Sequence, residues 1–225
     1  MAIIGNAPLR MDLSGFIDAC DLVLRFNEGK NYGANSGRKA DILCIGNSGA
    51  PARRLINNRA IRNAFFYDSV SEVWFPRDSG IHKKYGQTAE TESFLTVYDD
   101  LADELIDANE LSGFTIRRFS GELNEIVFRK LKEQALQPFE CPSTGFLAVE
   151  YILNEPRFVE YEKVLIGFSF QGYRGHPWKA EQRIVQGYSE SRSDFKIIPS
   201  SRVPFSWKGK MEALKLWIKG KKRKG

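Results

Sequence analysis

The stretch Ile3-Ile4-Gly5-Asn6-Ala7-Pro8 gives the strongest indication of the fold. Its apolar start is typical of a buried strand, and the Gly-Asn step is typical of the turn after such a strand. Gly5 permits a close backbone approach, and Asn6 places an amide at the carboxyl end of the strand. Because open α/β sheets bind ligands at that end, we expect a ligand site there.

Apolar runs of strand length alternate with helical stretches along the rest of the chain. This alternation predicts one Rossmann-like α/β domain with a mostly parallel sheet and helices on both faces. The predicted strands are Ala2 to Gly5, Leu22 to Arg25, Ile42 to Ile45, Ala64 to Tyr67, Val73 to Phe75, Thr115 to Phe119, Lys163 to Phe168 and Phe195 to Ile198. The predicted helices are Thr91 to Leu111, Gly121 to Gln134, Ser143 to Leu153 and Trp178 to Tyr188.

The composition is that of a globular protein. Of the 225 residues, 42% are hydrophobic and 27% are charged, which is an ordinary balance for one compact domain. No apolar run approaches the roughly 20 residues that cross a bilayer, and no signal-peptide pattern is present. We therefore expect a cytoplasmic protein. The absence of Gly-x-Gly-x-x-Gly argues against a dinucleotide ligand.

The basic residues concentrate at the end of the chain. Between Lys208 and Lys224 there are eight basic residues and one acid, Glu212. Apolar residues, including Trp207 and Trp217, alternate with lysines through Phe205 to Lys219. We expect a catalytic domain over 1–206 and a basic amphipathic tail over 207–225. Such a tail could bind the anionic inner surface of a membrane peripherally. Alternatively, its apolar side could pack against the domain. Nucleic-acid binding is the least favoured interpretation.

A second candidate binding segment is Pro142-Ser143-Thr144-Gly145. It precedes an apolar stretch and has the features of a helix start, whose hydroxyl and N–H groups can face an anion. A plain helix cap explains the same residues, and the two roles are compatible.

The two histidines differ in context. His82 lies in a charged, glycine-bounded loop, where we expect either a solvated side chain or a contact with the acceptor. His176 stands at the mouth of a predicted helix, and its ordinary pKa of about 6.5 suits a general base. Glu181 could hold the loop, orient the imidazole or pair with Lys179 or Arg183.

These segments resemble, in order, the sialyl motifs of the family 29 sialyltransferases. The large motif of that family has Gly-Asn-Ser followed by an Ile-Asp-x-x-Asp-x-Val-x-Arg-x-Asn pattern. Here Gly5-Asn6 leads to Ile17-Asp18-Ala19-Cys20-Asp21-Leu22-Val23-Leu24-Arg25-Phe26-Asn27. Pro142 to Gly145 resembles the start of the small motif, and His176 to Glu181 matches the very small His-x-x-x-x-Glu motif.

This resemblance implies a metal-independent, inverting glycosyltransferase of the sialyltransferase-like GT-A variant fold. It would move sialic acid, or a related 3-deoxy-2-ulosonic acid such as Kdo, from a CMP-sugar co-substrate to a glycan or glycolipid hydroxyl. His176 would deprotonate the acceptor, with Glu181 close by. The residues that would bind the cytidine monophosphate are Gly5, Asn6, Asn27, Ser143, Thr144 and Gly145.

The chain also departs from the family pattern. Its three cysteines, Cys20, Cys44 and Cys141, do not predict a disulfide framework. No Cys-x-x-Cys or His-x-x-x-His spacing occurs, so we expect neither a metal nor a cofactor. The additional family motif is reduced to Gln171-Gly172-Tyr173-Arg174. The alternative function is therefore a non-catalytic Rossmann-like module that binds a nucleotide or an acidic sugar.

Overall fold

The computed structural model of the protein describes residues 1–33, 35–85 and 98–198. Within them one seven-stranded sheet has the order β5-β4-β3-β2-β1-β6-β7, and every neighbouring pair is parallel. The α/β class and the Rossmann-like sheet are therefore confirmed. The strands are β1 (Ala2–Ile4), β2 (Val23–Phe26), β3 (Ile42–Cys44), β4 (Glu72–Phe75), β5 (Thr115–Arg118), β6 (Lys163–Ile166) and β7 (Phe195–Ile198).

Helices cover both faces of the sheet, as predicted. On one face, α5, α6 and α7 pack against strand residues such as Ile3 and Trp74. On the other face, α2 and α4 pack on Leu43 and Val73, and α1 packs on Ile4. The helices of the described part are α1 (Ser14–Asp18), α2 (Gly49–Asn57), α3 (Ser79–Tyr85), α4 (Ala102–Ala108), α5 (Gly121–Gln134), α6 (Thr144–Asn154) and α7 (Trp178–Ser191).

The strand predicted at Ala64 to Tyr67 is wrong. The segment forms turns and a short 3-10 helix at Tyr67–Ser69, with hydrogen bonds from Tyr67 N to Ala64 O and from Ser69 N to Phe66 O. Phe66 is buried whereas Phe65 is 96% exposed. The apolar side chains therefore do not form the continuous buried face that a central strand needs.

The helix predicted at Thr91 to Leu111 is shorter in the structure. Residues 91–97 lie outside the described part, and α4 begins only at Ala102, whose N–H donates to Asp100 Oδ1 at 3.0 Å. The helix ends before Glu110, which has a left-handed φ of 57°. An αL residue cannot continue a right-handed helix.

Three helices were missed in the sequence. α2 contains Gly49 and Pro51, which read as loop residues, yet proline is tolerated in a first helical turn because its missing N–H is not needed there. α1 has five residues and α3 has seven, so neither gives a clear helical periodicity. The predicted tail at 207–225 and the domain limit at 206 lie outside the described residues.

The strand order reverses at β1, which lies between β2 and β6. Ligands of open α/β sheets bind in the crevice at such a reversal, outside the carboxyl ends of the strands. Within the described residues, no helix combines the length and the apolar composition that crossing a bilayer requires.

Candidate functional site

The two asparagines predicted to bind a ligand connect neighbouring strand ends. Asn6, after β1, donates from Nδ2 to the Phe26 carbonyl at 3.2 Å and accepts the Lys30 N–H at 3.1 Å. Asn27, after β2, accepts the Gly46 N–H on Oδ1 at 2.9 Å and has a φ of 50°. Both side chains therefore hold the loops at the carboxyl edge of the sheet in fixed positions.

The two predicted halves of the site meet at Gly46. A Cβ added at Gly46 would lie 2.9 Å from Thr144 Oγ1 and 3.6 Å from Asn27 Oδ1. The first turn of α6 therefore lies beside the end of β3, where Asn27 from the end of β2 also binds. Thr144 and Gly145 are half-buried, and the N–H groups of a first helical turn have no helical acceptors. This arrangement offers N–H and hydroxyl donors to an anion.

Two of the predicted binding glycines have packing roles. A Cβ at Gly5 would lie 2.3 Å from the Gly167 carbonyl oxygen, because the ends of β1 and β6 touch there. A Cβ at Gly145 would lie 2.6 Å from Cε1 of Phe168. Gly5 thus allows the end of β6 to approach the backbone closely, and Gly145 allows the Phe168 ring to do so.

Ser143 and Glu181 form a buried pair. The Glu181 carboxylate is fully buried and accepts the N–H and the hydroxyl of Ser143, both at 2.7 Å. The Ser143 hydroxyl also caps α6 by accepting the Phe146 N–H at 3.1 Å. Ser143 is therefore committed to the helix cap and to Glu181. Arg183, which the sequence offered as a salt-bridge partner, donates instead to the Gln134 carbonyl.

Burial dominates the titration of Glu181. Desolvation raises its pKa to about 7, although the two hydrogen bonds from Ser143 and the positive charge of Arg77 act in the opposite direction. A carboxyl group without a paired cation changes its protonation state when it is buried, since the charged form is costly there. Glu181, which belongs to α7 and binds the N-cap of α6, therefore has a pKa near neutral pH.

His176 is held by the segment that precedes α6. Its Nδ1 lies 2.8 Å from the Cys141 carbonyl oxygen, which can only accept, so Nδ1 carries the proton and Nε2 is an acceptor. The ring packs edge-on between Tyr173 and Trp178. Burial and the charge of Arg77 lower the pKa of His176 to about 3. The expectation of a base with an ordinary pKa is therefore wrong for the unliganded protein.

The expectation that His82 is solvated is also wrong. His82 lies in α3, is 2% exposed, and stacks edge-on against Phe128. Its Nε2 donates to Asn124 Oδ1 at 3.1 Å, because the Asn124 amide nitrogen donates to backbone carbonyls. Burial and the charge of Arg77 lower its pKa to about 3. The signal for α3 was Asp78, whose Oδ1 accepts the Ile81 N–H at 2.9 Å in the manner of an N-cap.

Arg77 is a site residue that the sequence interpretation missed. It follows β4, and its charge acts on His82, His176 and Glu181. Its position after the predicted strand Val73 to Phe75 parallels that of Asn6 after β1, which is the signal that could have identified it. Arg25, by contrast, is a buried residue of β2 and donates to carbonyls of residues 36–39, so it supports the fold.

The cysteines and acidic residues of the described part form no metal-binding group of three or more side chains. Cys20, Cys44 and Cys141 are free thiols, of which the last two are buried. Asn47, in a loop that echoes Gly5-Asn6, clamps the segment after β4 by accepting the Arg77 N–H at 3.1 Å and donating to the Arg77 carbonyl at 3.0 Å. Asn47 therefore fixes the backbone of Arg77.

Comparison with known proteins finds a curated sequence relative and a solved structure with a similar fold. No family model matches the chain. The chain is 27% identical, over 186 residues, to a urease operon 23 kDa accessory protein from Rhizobium meliloti (strain 1021), and the alignment covers 81% of this chain and 85% of that protein. The fold matches the crystal structure of a mammalian sialyltransferase with a TM-score of 0.52 and 17% identity, covering 89% of this chain and 68% of the other.

The structural match shows that the domain has a glycosyltransferase-like fold. At 17% identity it carries no statement about chemistry, because one fold serves many functions. What the site can do follows from its own residues. It offers hydroxyl and N–H donors, one guanidinium and two neutral imidazoles around the carboxyl edge of the sheet, which is an environment for an anionic ligand.

Proposed function

We propose that the domain binds a CMP-type nucleotide, with or without its acidic sugar, at the carboxyl edge of the sheet, and that binding is its main role. The carrying observation is the position of Gly46, after β3, which lies against the Thr144 hydroxyl at the start of α6 and donates its N–H to Asn27 after β2. This contact joins the two segments that resemble the sialyltransferase motifs. The choice of CMP comes from that resemblance.

Two observations favour binding over transfer. His176, with a pKa lowered to about 3, is a weak base, whereas general-base catalysis is most effective when the pKa lies near the working pH. The relative from Rhizobium meliloti is described as an accessory protein of a urease operon, which names an auxiliary role. A binding module that assists another protein is consistent with both.

Transfer of a sugar from a CMP-sugar is the second candidate. It is favoured by the fixed tautomer of His176, because the hydrogen bond to the Cys141 carbonyl leaves Nε2 as the proton acceptor. A bound anion would raise the pKa of this imidazole by favouring its charged form. Metal-independent inverting transfer to a glycan or glycolipid hydroxyl would then use His176 as the base, with Glu181 acting through the α6 cap.

Thr144→Val tests the nucleotide site. This change keeps the side-chain shape and removes the hydroxyl beside Gly46. It is expected to weaken CMP binding by roughly 1 to 3 kcal/mol, the usual loss of a hydrogen bond to a charged group. Isothermal titration calorimetry with CMP, in the presence and absence of EDTA, measures the effect, and EDTA is expected to change nothing.

Thr115→Val is the matched control for this experiment, because Thr115 is exposed at the start of β5, away from the site. Its affinity for CMP should equal that of the wild type. Binding of UDP with manganese but not of CMP would contradict the proposed ligand class.

We also propose that the basic tail at 207–225 binds an anionic membrane surface. Deletion of Lys208 to Gly225 is expected to abolish co-sedimentation with anionic liposomes and to leave CMP binding intact. Added salt should weaken the association of the full chain because screening reduces electrostatic attraction. A full-length protein that ignores liposomes at low salt, or a deletion that unfolds the domain, would favour packing of the tail on the domain.

A further inference from the structure

Arg77 lies where three parts of the site meet. The residue follows β4, its Nη1 donates to Ser48 Oγ at 2.7 Å, and its Nη2 donates to the Pro142 carbonyl at 3.5 Å. Ser48 belongs to the loop after β3, and Pro142 leads into α6. The guanidinium is therefore fixed at the carboxyl edge of the sheet, close to the N-terminal turn of α6.

The charge of Arg77 has no counter-ion in the described part of the chain. The side chain forms no ion pair there, and its Nε is buried without a hydrogen-bond partner. Other buried cations are satisfied. Lys163 Nζ lies 2.7 Å from Asp194, and Arg25 donates four hydrogen bonds to the loop at 36–39. Of the five N–H groups of a guanidinium, Arg77 uses two.

The groups around Arg77 do not neutralise it. His82 and His176 are neutral, and both oxygens of Glu181 accept hydrogen bonds from Ser143. Asp99 and Asp100 line the same small cavity as Arg77, but they pair with Arg53 and Arg118 instead. A half-buried charge without a partner is costly. The guanidinium lies at the carboxyl edge of the sheet. An anion that reaches this edge from solvent would supply the counter-ion that the described residues do not.

We propose that Arg77 binds an oxyanion of the ligand, its phosphate or its carboxylate, and so makes the site selective for acidic ligands. The inference rests on the proposed function, since it assigns the anion-binding residue of that same site. A planar guanidinium fork matches both groups, which accept two parallel hydrogen bonds from it. Phosphate and sugar carboxylate share this chemistry, so the experiment has to separate them.

The experiment measures the affinity of the full-length protein for four probes by calorimetry: CMP, cytidine, free sialic acid and inorganic phosphate. Arg77→Met is expected to weaken binding of the acidic probe by at least 10-fold and up to 150-fold, and Arg77→Lys by less. A loss with CMP alone identifies phosphate as the anion, and a loss with sialic acid alone identifies the carboxylate. Arg192→Met is the control, because Arg192 pairs with Asp194 just before β7, at the opposite edge of the sheet, and its affinities should stay within 3-fold of wild type.

Thermal unfolding separates binding from support of the fold. Arg77 has no counter-ion among the described residues but donates hydrogen bonds to Ser48 and Pro142. Arg77→Met should therefore change the melting temperature little, because relief of the unpaired charge offsets the lost hydrogen bonds. A lower melting temperature in both Arg77→Met and Arg77→Lys would show that the cation has a structural partner and would overturn the proposal. Equal affinity of wild type and Arg77→Met for every probe would overturn it as well.

The proposed function and the role of Arg77 can fail separately. Wild-type binding of inorganic phosphate but of neither CMP nor sialic acid, lost in Arg77→Met, would support the oxyanion site and contradict the nucleotide assignment. Binding of CMP that is unchanged in Arg77→Met would support the nucleotide assignment and contradict the role of Arg77. A wild-type protein that binds none of the four probes would contradict both.

Discussion

We expect the difference in unfolding free energy between Glu181→Gln and wild type to increase with pH. Between pH 4.5 and a pH above 7, the variant should gain about 3 kcal/mol of stability relative to wild type. The pKa of Glu181 is raised from 4.5 to about 7, so folding favours its protonated form. This contribution to stability is complete below the unfolded pKa and is lost as the pH rises through the folded pKa. At 1.36 kcal/mol per pKa unit, a shift of this size gives the stated change.

The measurement is the free energy of unfolding by urea for both proteins across this pH range. Glutamine has nearly the shape of the carboxyl group and can still accept the Ser143 N–H, so the variant should fold. The pKa values of His82 and His176 are lowered, which makes stability fall as the pH decreases below about 6.5. Both proteins share that loss, and it cancels in the difference. A difference that stays flat with pH would show that Glu181 is not a buried titrating group.

Replacing His176 by alanine is expected to lower sugar transfer by about 100-fold to 10,000-fold if the domain is a transferase, the usual scale of general-base catalysis. The CMP affinity should change little, because the imidazole Nε2 would act on the acceptor. The assay needs a CMP-sugar donor and a hydroxyl acceptor. Because burial and the charge of Arg77 lower the pKa of His176 to about 3, the wild-type rate should stay level as the pH falls through 6.5.

His82→Ala is the comparison variant, and the structure changes what it is expected to do. The loss of its hydrogen bond to Asn124 and of its contact with Phe128 should lower the melting temperature. Transfer by the folded fraction should fall less than in His176→Ala. A near-normal rate in His176→Ala would place the base elsewhere, and a wild-type protein that binds CMP without transfer would establish the binding module.

The central strands could be predicted from the sequence because most of them are short, largely apolar runs with clear ends. α5 and α6 were predicted closely since Ser120 and Ser143 are good N-caps, and both accept an N–H of the first turn. The error at Ala64 to Tyr67 has the opposite cause. An apolar run does not show which of its side chains are buried, and in the structure Phe65 points to solvent.

The site was predictable only where strand ends could be expected to meet. Asn6 and Asn27 lie at neighbouring strand ends because the carboxyl ends of parallel strands share one edge of the sheet. Arg77 depends on the pairing of β3 with β4, which brings Ser48 within reach. The role of Glu181 depends on a contact across 38 positions of the chain. Neither relationship leaves a local pattern in the sequence.

The position of β1 has a consequence for how the chain folds. This first strand lies inside the sheet, where it pairs with β2 on one side and with β6, about 160 residues later, on the other. During synthesis β1 to β5 can assemble early, but one edge of β1 stays open until Lys163–Ile166 has emerged. Pairing over such a distance is slow, and an uncovered edge strand attracts other chains. Aggregation of the nascent protein should therefore be greatest just before β6 arrives.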